Sequence, residues 1–107
     1  MKVKPVVPRQ AALDDVEAAV DDYLAEAGAP AALGFIDCLE KAYRQLSRHP
    51  AMGSPRYAPE LALPELRCWP VTRYQHLVFY VETGESIAVW RVLHARRDIP
   101  PTLRIDT

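Results

Sequence analysis

His76-Leu77-Val78-Phe79-Tyr80-Val81-Glu82-Thr83-Gly84-Glu85-Ser86-Ile87-Ala88-Val89-Trp90-Arg91-Val92-Leu93 is the stretch that decides the fold. Residues 76–81 are β-branched, aromatic and apolar, as a strand requires. Residues 82–85 contain Gly84 and turn the chain. Residues 86–93 form a second apolar run, so the pair predicts an antiparallel hairpin. Successive strand residues point to opposite faces. Ile87, Val89, Arg91 and Leu93 are expected on one face, and Ala88, Trp90, Val92 and His94 on the other. In the first strand Leu77, Phe79 and Val81 oppose Val78 and Tyr80. Both faces of this sheet are apolar, so it needs cover on two sides.

Upstream, residues 66–71 predict another strand, ended or kinked by Pro70 and joined to the hairpin as a meander. Residues 51–63 carry Gly53, Pro55 and Pro59 and read as loop. Before them the period changes to 3.6 residues. Leu13, Val16, Val20, Tyr23, Leu24 and Ala27 form one stripe of a helix that starts at Arg9 or Gln10. Gly28 ends it. Pro30 suits the first turn of a second helix, whose stripe is Ala32, Phe35, Ile36, Leu39, Tyr43 and Leu46. That helix stops near His49-Pro50, because the residue before proline resists the helical conformation. So short a connection makes the helices an antiparallel hairpin. Residues 3–7, rich in valine and flanked by Pro5 and Pro8, predict an edge strand.

The expected fold is therefore α+β and two-layered, β-α-α-β-β-β, with the helical hairpin packed on an antiparallel sheet. All 107 residues are expected in one domain, with 96–107 as a polar C-terminal tail. A hairpin covers one sheet face. The other is expected to leave an apolar patch with Arg91 in it, open to a partner or covered by the tail.

The formal net charge is -1, so no global basic field marks a nucleic-acid binder. The charge is uneven, however. Asp14, Asp15, Glu17, Asp21, Asp22 and Glu26 crowd the first helix, which is most simply a solvated face. Lys2, Lys4 and Lys41 are the only lysines, and six arginines lie between Arg67 and Arg104. Basic chemistry is thus arginine chemistry, suited to gripping carboxylates and phosphates rather than moving protons. Cys38 and Cys68 lack nearby ligand partners, so no metal or cofactor is expected. The first residues contain no apolar leader segment and nothing reads as a membrane span, so the expected location is the cytoplasm.

Four runs, taken in order, resemble the ParE branch of the RelE/ParE toxins. They are Pro50-Ala51-Met52-Gly53-Ser54-Pro55-Arg56, Leu66-Arg67-Cys68-Trp69-Pro70-Val71, His76-Leu77-Val78-Phe79-Tyr80, and Ile87 through Ile99. The last, with His94-Ala95-Arg96-Arg97-Asp98, is the most specific. The resemblance implies a type II toxin–antitoxin pair, a ParD-like antitoxin that wraps the toxin, and DNA gyrase as target. It also implies RelE-type cousins that cut messenger RNA on the ribosome.

An RNase needs a base, cations for the scissile phosphate and an acid for the leaving oxygen. The RelE-type cousins are similar to one another in using lysines and arginines on the sheet, with a tyrosine or histidine near the C-terminus. Here Arg67 and Arg91 can hold a phosphate, but the lysines lie elsewhere and no tyrosine or histidine follows His94. No catalytic residue is therefore assigned. His94 is either a general acid or a side chain that fixes the strand end. His49 reads as a helix cap, and His76 carries no partner signal. Arg91 can pair with a partner's carboxylate or with an acid of this chain. The expected antitoxin contacts are Ile87, Val89, Arg91 and Arg67, with the neighbouring helical hairpin. The antitoxin segment there is expected to carry apolar anchors and acids. The expected target contacts are Arg67, Arg91, Arg96 and Arg97. Sequence-specific nucleic-acid binding and membrane association are not expected.

Overall fold

A computed structural model describes residues 3–56, 58 and 63–96. Strand β1 (Val6–Pro8) leads into helix α1 (Gln10–Ala27) and helix α2 (Ala29–Arg48). A short 3₁₀ turn (Pro50–Met52) follows, then β2 (Leu66–Pro70), β3 (His76–Glu82) and β4 (Ile87–His94). The order β-α-α-β-β-β is the expected one. The sheet order is β1-β4-β3-β2. Strands β2, β3 and β4 form the antiparallel meander, while β1 joins β4 in parallel. The sheet is therefore mixed, and the wholly antiparallel sheet of the sequence reading is corrected at this edge. A two-helix excursion carries the chain back across the sheet, so β1 and β4 end up running in the same direction.

Gly28 makes the tight hairpin possible. Its φ of 91° lies in the left-handed region that only glycine occupies without strain. Its N–H closes α1 on Leu24 and Tyr23 carbonyls, both at 3.1 Å. His49 takes the C-cap position of α2 and donates its N–H to Gln45.

On α2, Ala32, Phe35, Leu39, Ala42 and Leu46 are buried, while Ile36 and Tyr43 are half-buried. On α1 the buried centre is instead Ala12 and Ala19, flanked by half-buried Val16, Val20 and Tyr23. Leu13 and Leu24, expected inside, are 49% and 51% exposed. Ala27 is exposed as well. Alanines let α1 approach the sheet closely, and the two leucines, which share one flank of that contact line, are left facing outward.

The expected strand alternation fails at one residue. Phe79 faces Arg91, whereas Tyr80 faces Val89, so Trp90 is an extra residue in β4. Such a bulge changes the face of everything beyond it. Ile87, Val89 and Val92 all lie in the cluster beneath the helices, with Val78 and Tyr80. Leu93 and Trp90 join Leu66, Cys68 and Phe79 on the opposite face.

That opposite face is not an open apolar patch. Leu66, Cys68, Phe79 and Leu93 are at most 4% exposed, with Leu63, Leu77, Val81 and Trp90 packed around them. The outer edge of β2 is closed as well: Ser54 exchanges two backbone hydrogen bonds with Cys68, at 2.8 and 2.9 Å. Tyr80 fixes the same loop from below. Its hydroxyl donates to the Pro50 carbonyl at 2.6 Å and accepts the Gly53 N–H at 3.0 Å. A side chain at Gly53 would overlap that phenol. Tyr80→Phe leaves a carbonyl and an N–H unpaired. It is expected to cost about 1–3 kcal/mol, read as a lower urea midpoint at unchanged slope.

Candidate functional site: the arginines and the two faces of the sheet

Arg91 stands just past the point where β1 stops pairing with β4, since Arg9 already donates its N–H to Val89. The β4 edge beyond is bare of strand partners, and α1 runs alongside it. Asp15 fills the gap. Its carboxylate accepts Arg91 Nε at 2.6 Å, Arg91 Nη2 at 2.7 Å and the Val92 backbone N–H at 3.0 Å. The two side chains are 14% and 13% exposed. A bidentate guanidinium–carboxylate pair of this kind is among the stronger polar contacts. Of the two partners considered for Arg91, the acid of this same chain is the one found.

Arg67 lies at the other end of the sheet order, on β2. Its Nη1 donates to the Gly53 carbonyl at 2.8 Å, beside the Tyr80 phenol. Part of it lines a shallow surface groove with Pro64, Glu65 and Glu82. The two arginines are thus held by different elements and do not converge on one anion. Ile87 and Val89, expected to face an antitoxin, are fully buried under the helices, because the bulge lies beyond them. Arg96 is exposed in the turn after β4. Arg97 lies outside the described residues.

The histidines have structural surroundings. His94 Nδ1 accepts the Arg96 N–H at 3.1 Å, which fixes the strand end. His76 is 6% exposed and shares a 3.1 Å hydrogen bond with the Tyr23 hydroxyl. Its ring centroid lies 5.1 Å from Phe35 and 5.3 Å from His94. Tyr74 completes this aromatic group, 5.0 Å from Tyr23 and 5.4 Å from Phe35. The sequence reading missed it. Spacing cannot bring together rings from α1, α2, β3 and the β2–β3 turn.

Burial pushes the Cys68 thiol up, with Arg56 pulling partly the other way. A thiol held in that state is a packing group rather than a nucleophile. Burial also raises Tyr43, to about 12, with the Asp15 carboxylate adding to it. The neutral phenol is favoured when folded, so between pH 10 and 12 the unfolded chain loses this proton first. Stability should fall as pH rises through that window. In a urea series from pH 9 to 12, Tyr43→Phe should flatten the decline.

The second sheet face holds an apolar cleft of about 170 Å³ lined by Leu63, Pro64, Glu65, Leu66, Val81 and Trp90. Arg9 lies over the Trp90 ring, 5.0 Å from its centroid. Among the described residues no group of histidine, cysteine, aspartate and glutamate is placed to hold a metal. Among them, too, no helix is long and apolar enough to cross a membrane.

The profile of one family, the ParE toxin of the type II toxin–antitoxin system parDE, matches residues 6–99. The chain belongs to the ParE toxin family. A chain of the chromosomal ParDE toxin–antitoxin system from P. aeruginosa has the same fold. It superposes at a TM-score of 0.73 and 18% identity, over 88% of this chain and 98% of that one. No curated protein matches the sequence. This ParE-family chain is thus a toxin of the type II toxin–antitoxin kind. The match spans the helical hairpin, the meander and the Asp15–Arg91 contact alike.

Proposed function

We propose that this ParE-family toxin arrests growth by binding DNA gyrase, without cleaving RNA, and that a ParD-like antitoxin neutralises it. The observation that carries the non-catalytic part is the capture of Arg91 by Asp15. Gripping a scissile phosphate there would require breaking a buried bidentate pair, at a cost of several kcal/mol. Arg67 is also engaged, and it lies on a different element. His94, the remaining candidate acid, uses Nδ1 on the backbone. What remains outward is a surface suited to binding, with Arg96 beyond the β4 end and the exposed part of Arg67.

The antitoxin segment is proposed to anchor an apolar side chain in the cleft between Leu63, Val81 and Trp90, and to continue over the helical hairpin. This moves the contact away from Ile87 and Val89, which are inside. Glu65 and Arg67 at its margin give an extended segment polar partners.

Inducing the toxin without antitoxin tests the reading in cells. The DNA-damage response should rise before protein synthesis falls. Prompt translation arrest with cut messenger RNA and no DNA-damage response would instead favour the RNase. Normal growth, with antitoxin binding retained, would identify a toxin that has lost its activity.

A further inference from the structure

The net charge of -1 hides how the cations are distributed. Several basic side chains are already engaged: Arg91 by Asp15, Arg67 by the Gly53 carbonyl, Lys4 by Glu82 and Arg9 by the Trp90 ring. Lys41, Arg44 and Arg48 are different. They are exposed on the C-terminal half of α2, and with Gln45 they line one surface groove of about 290 Å³. At about 100° per residue these four side chains fall on the side of α2 turned away from Phe35, Leu39 and Leu46. Among the described residues none of the three cations forms an ion pair. Asp37 and Glu40 stand four residues before Lys41 and Arg44, a spacing that suits helical ion pairs. Neither closes on its cation, and neither lines the groove.

Two ordinary roles fall short for this row. Cations in the last turn of a helix offset its dipole, but that effect fades within one turn. It accounts for Arg48 and not for Lys41, seven residues earlier. A protein partner's interface is built around apolar or aromatic anchors. This groove is lined by three cations and one amide, with no apolar side chain among them. Its chemistry is that of a phosphate grip. Arginine offers a planar fork to phosphate oxygens, lysine a point charge and glutamine a neutral donor. The three cations span about 10 Å along the helix. One strand of duplex DNA presents a phosphate about every 3.4 Å along its axis, so the row matches about three of them. We infer that this groove grips the phosphate backbone of duplex DNA without reading its bases. Contacts of this kind position a protein on DNA and carry no sequence information. The grip is local, because the exposed acids of α1, Asp14, Glu17 and Asp21, repel phosphates. So few contacts bind weakly alone and gain effect once the toxin is held on a target that carries DNA. In that respect the inference deepens the gyrase proposal and rests on it; the grip itself does not.

The test uses the full chain and short labelled duplexes of two unrelated sequences, followed by fluorescence anisotropy across a salt series. Both duplexes should bind at low salt, with affinities within about twofold of each other. In Lys41→Gln/Arg44→Gln/Arg48→Gln, binding should weaken at least about tenfold, and the slope of log affinity against log salt should become shallower by about 2–3. The three positions are exposed and glutamine is a good helix former, so the fold is kept, with circular dichroism as the check. Arg44→Lys/Arg48→Lys preserves the charge and should stay within about threefold of the parent chain. A labelled poly-glutamate peptide of matched charge should bind at least about tenfold more weakly than the duplexes. No duplex binding at low salt, or a triple variant with the parent's affinity and salt slope, would overturn the inference. So would a charge-preserving variant that loses as much as the triple variant. Poly-glutamate bound as tightly as DNA would also overturn it, in favour of an acidic protein segment. These mixtures contain no gyrase, so their failure leaves the gyrase proposal standing. A toxin that binds DNA in this way but leaves supercoiling undisturbed would refute that proposal alone.

Discussion

Asp15→Ala is expected to destabilise the toxin by about 3–5 kcal/mol. The carboxylate holds Arg91 through two bonds and caps the Val92 N–H, with both side chains about seven-eighths buried. Removing it takes both carboxylate bonds from the guanidinium and leaves an edge N–H without this acceptor. That is the costly way to lose an ion pair. Replacing both partners with apolar side chains of similar volume is often close to neutral. Asp15→Leu/Arg91→Met should therefore recover much of what Asp15→Ala loses. Urea denaturation of the two variants and the parent chain measures this directly. A loss under about 1 kcal/mol for Asp15→Ala would mean that the pair behaves as a solvent-exposed one.

Phe35→Ala should cost about 3–5 kcal/mol. Phe35 is fully buried and its ring contacts Tyr23, Tyr74 and His76, with centroids 5.1 to 5.4 Å away. Losing it opens a cavity among rings from both helices and the sheet, and none of them can collapse into it alone. Leu13→Ala is the informative comparison. Leu13 belongs to the apolar stripe of the sequence but is half exposed, so its truncation should cost less than about 1 kcal/mol. Thermal melts of the two variants separate the core read from periodicity from the core that packs. Similar losses would place Leu13 inside.

The elements were legible in the sequence because each carries a strong local pattern. The stripe of α2, the Gly28 turn, Pro30 and the apolar runs of β3 and β4 depend on no distant residue. Sidedness was not legible. A two-residue period cannot announce a bulge, so Trp90 reversed the expected faces of β4, and Ile87 and Val89 were assigned to the wrong one. On α1 the leucines suggested the buried side, although the alanines are what fit against the sheet. Asp15 looked like one more acid of a solvated helix. Its partner is 76 positions away in the sequence, and only the approach of α1 to the β4 edge reveals the pair. The aromatic group around His76 was hidden for the same reason. The parallel edge strand was half visible: Pro5 and Pro8 marked an edge, but the direction of β1 depends on the path through both helices.

These placements bear on how the toxin acts. Arg91 looked in the sequence like one of two arginines able to hold a phosphate, and in the fold it closes the sheet edge with Asp15. A surface can hold a target in an inactive state by shape and charge, without chemistry of its own. The most direct measurement is DNA supercoiling by purified gyrase with increasing purified toxin, run beside a translating-ribosome reaction in which the messenger RNA is monitored for cuts. The account predicts that supercoiling stops, or cleaved DNA accumulates, at near-stoichiometric toxin, while the messenger stays intact. Undisturbed supercoiling together with messenger cuts that disappear in Arg67→Ala would contradict it.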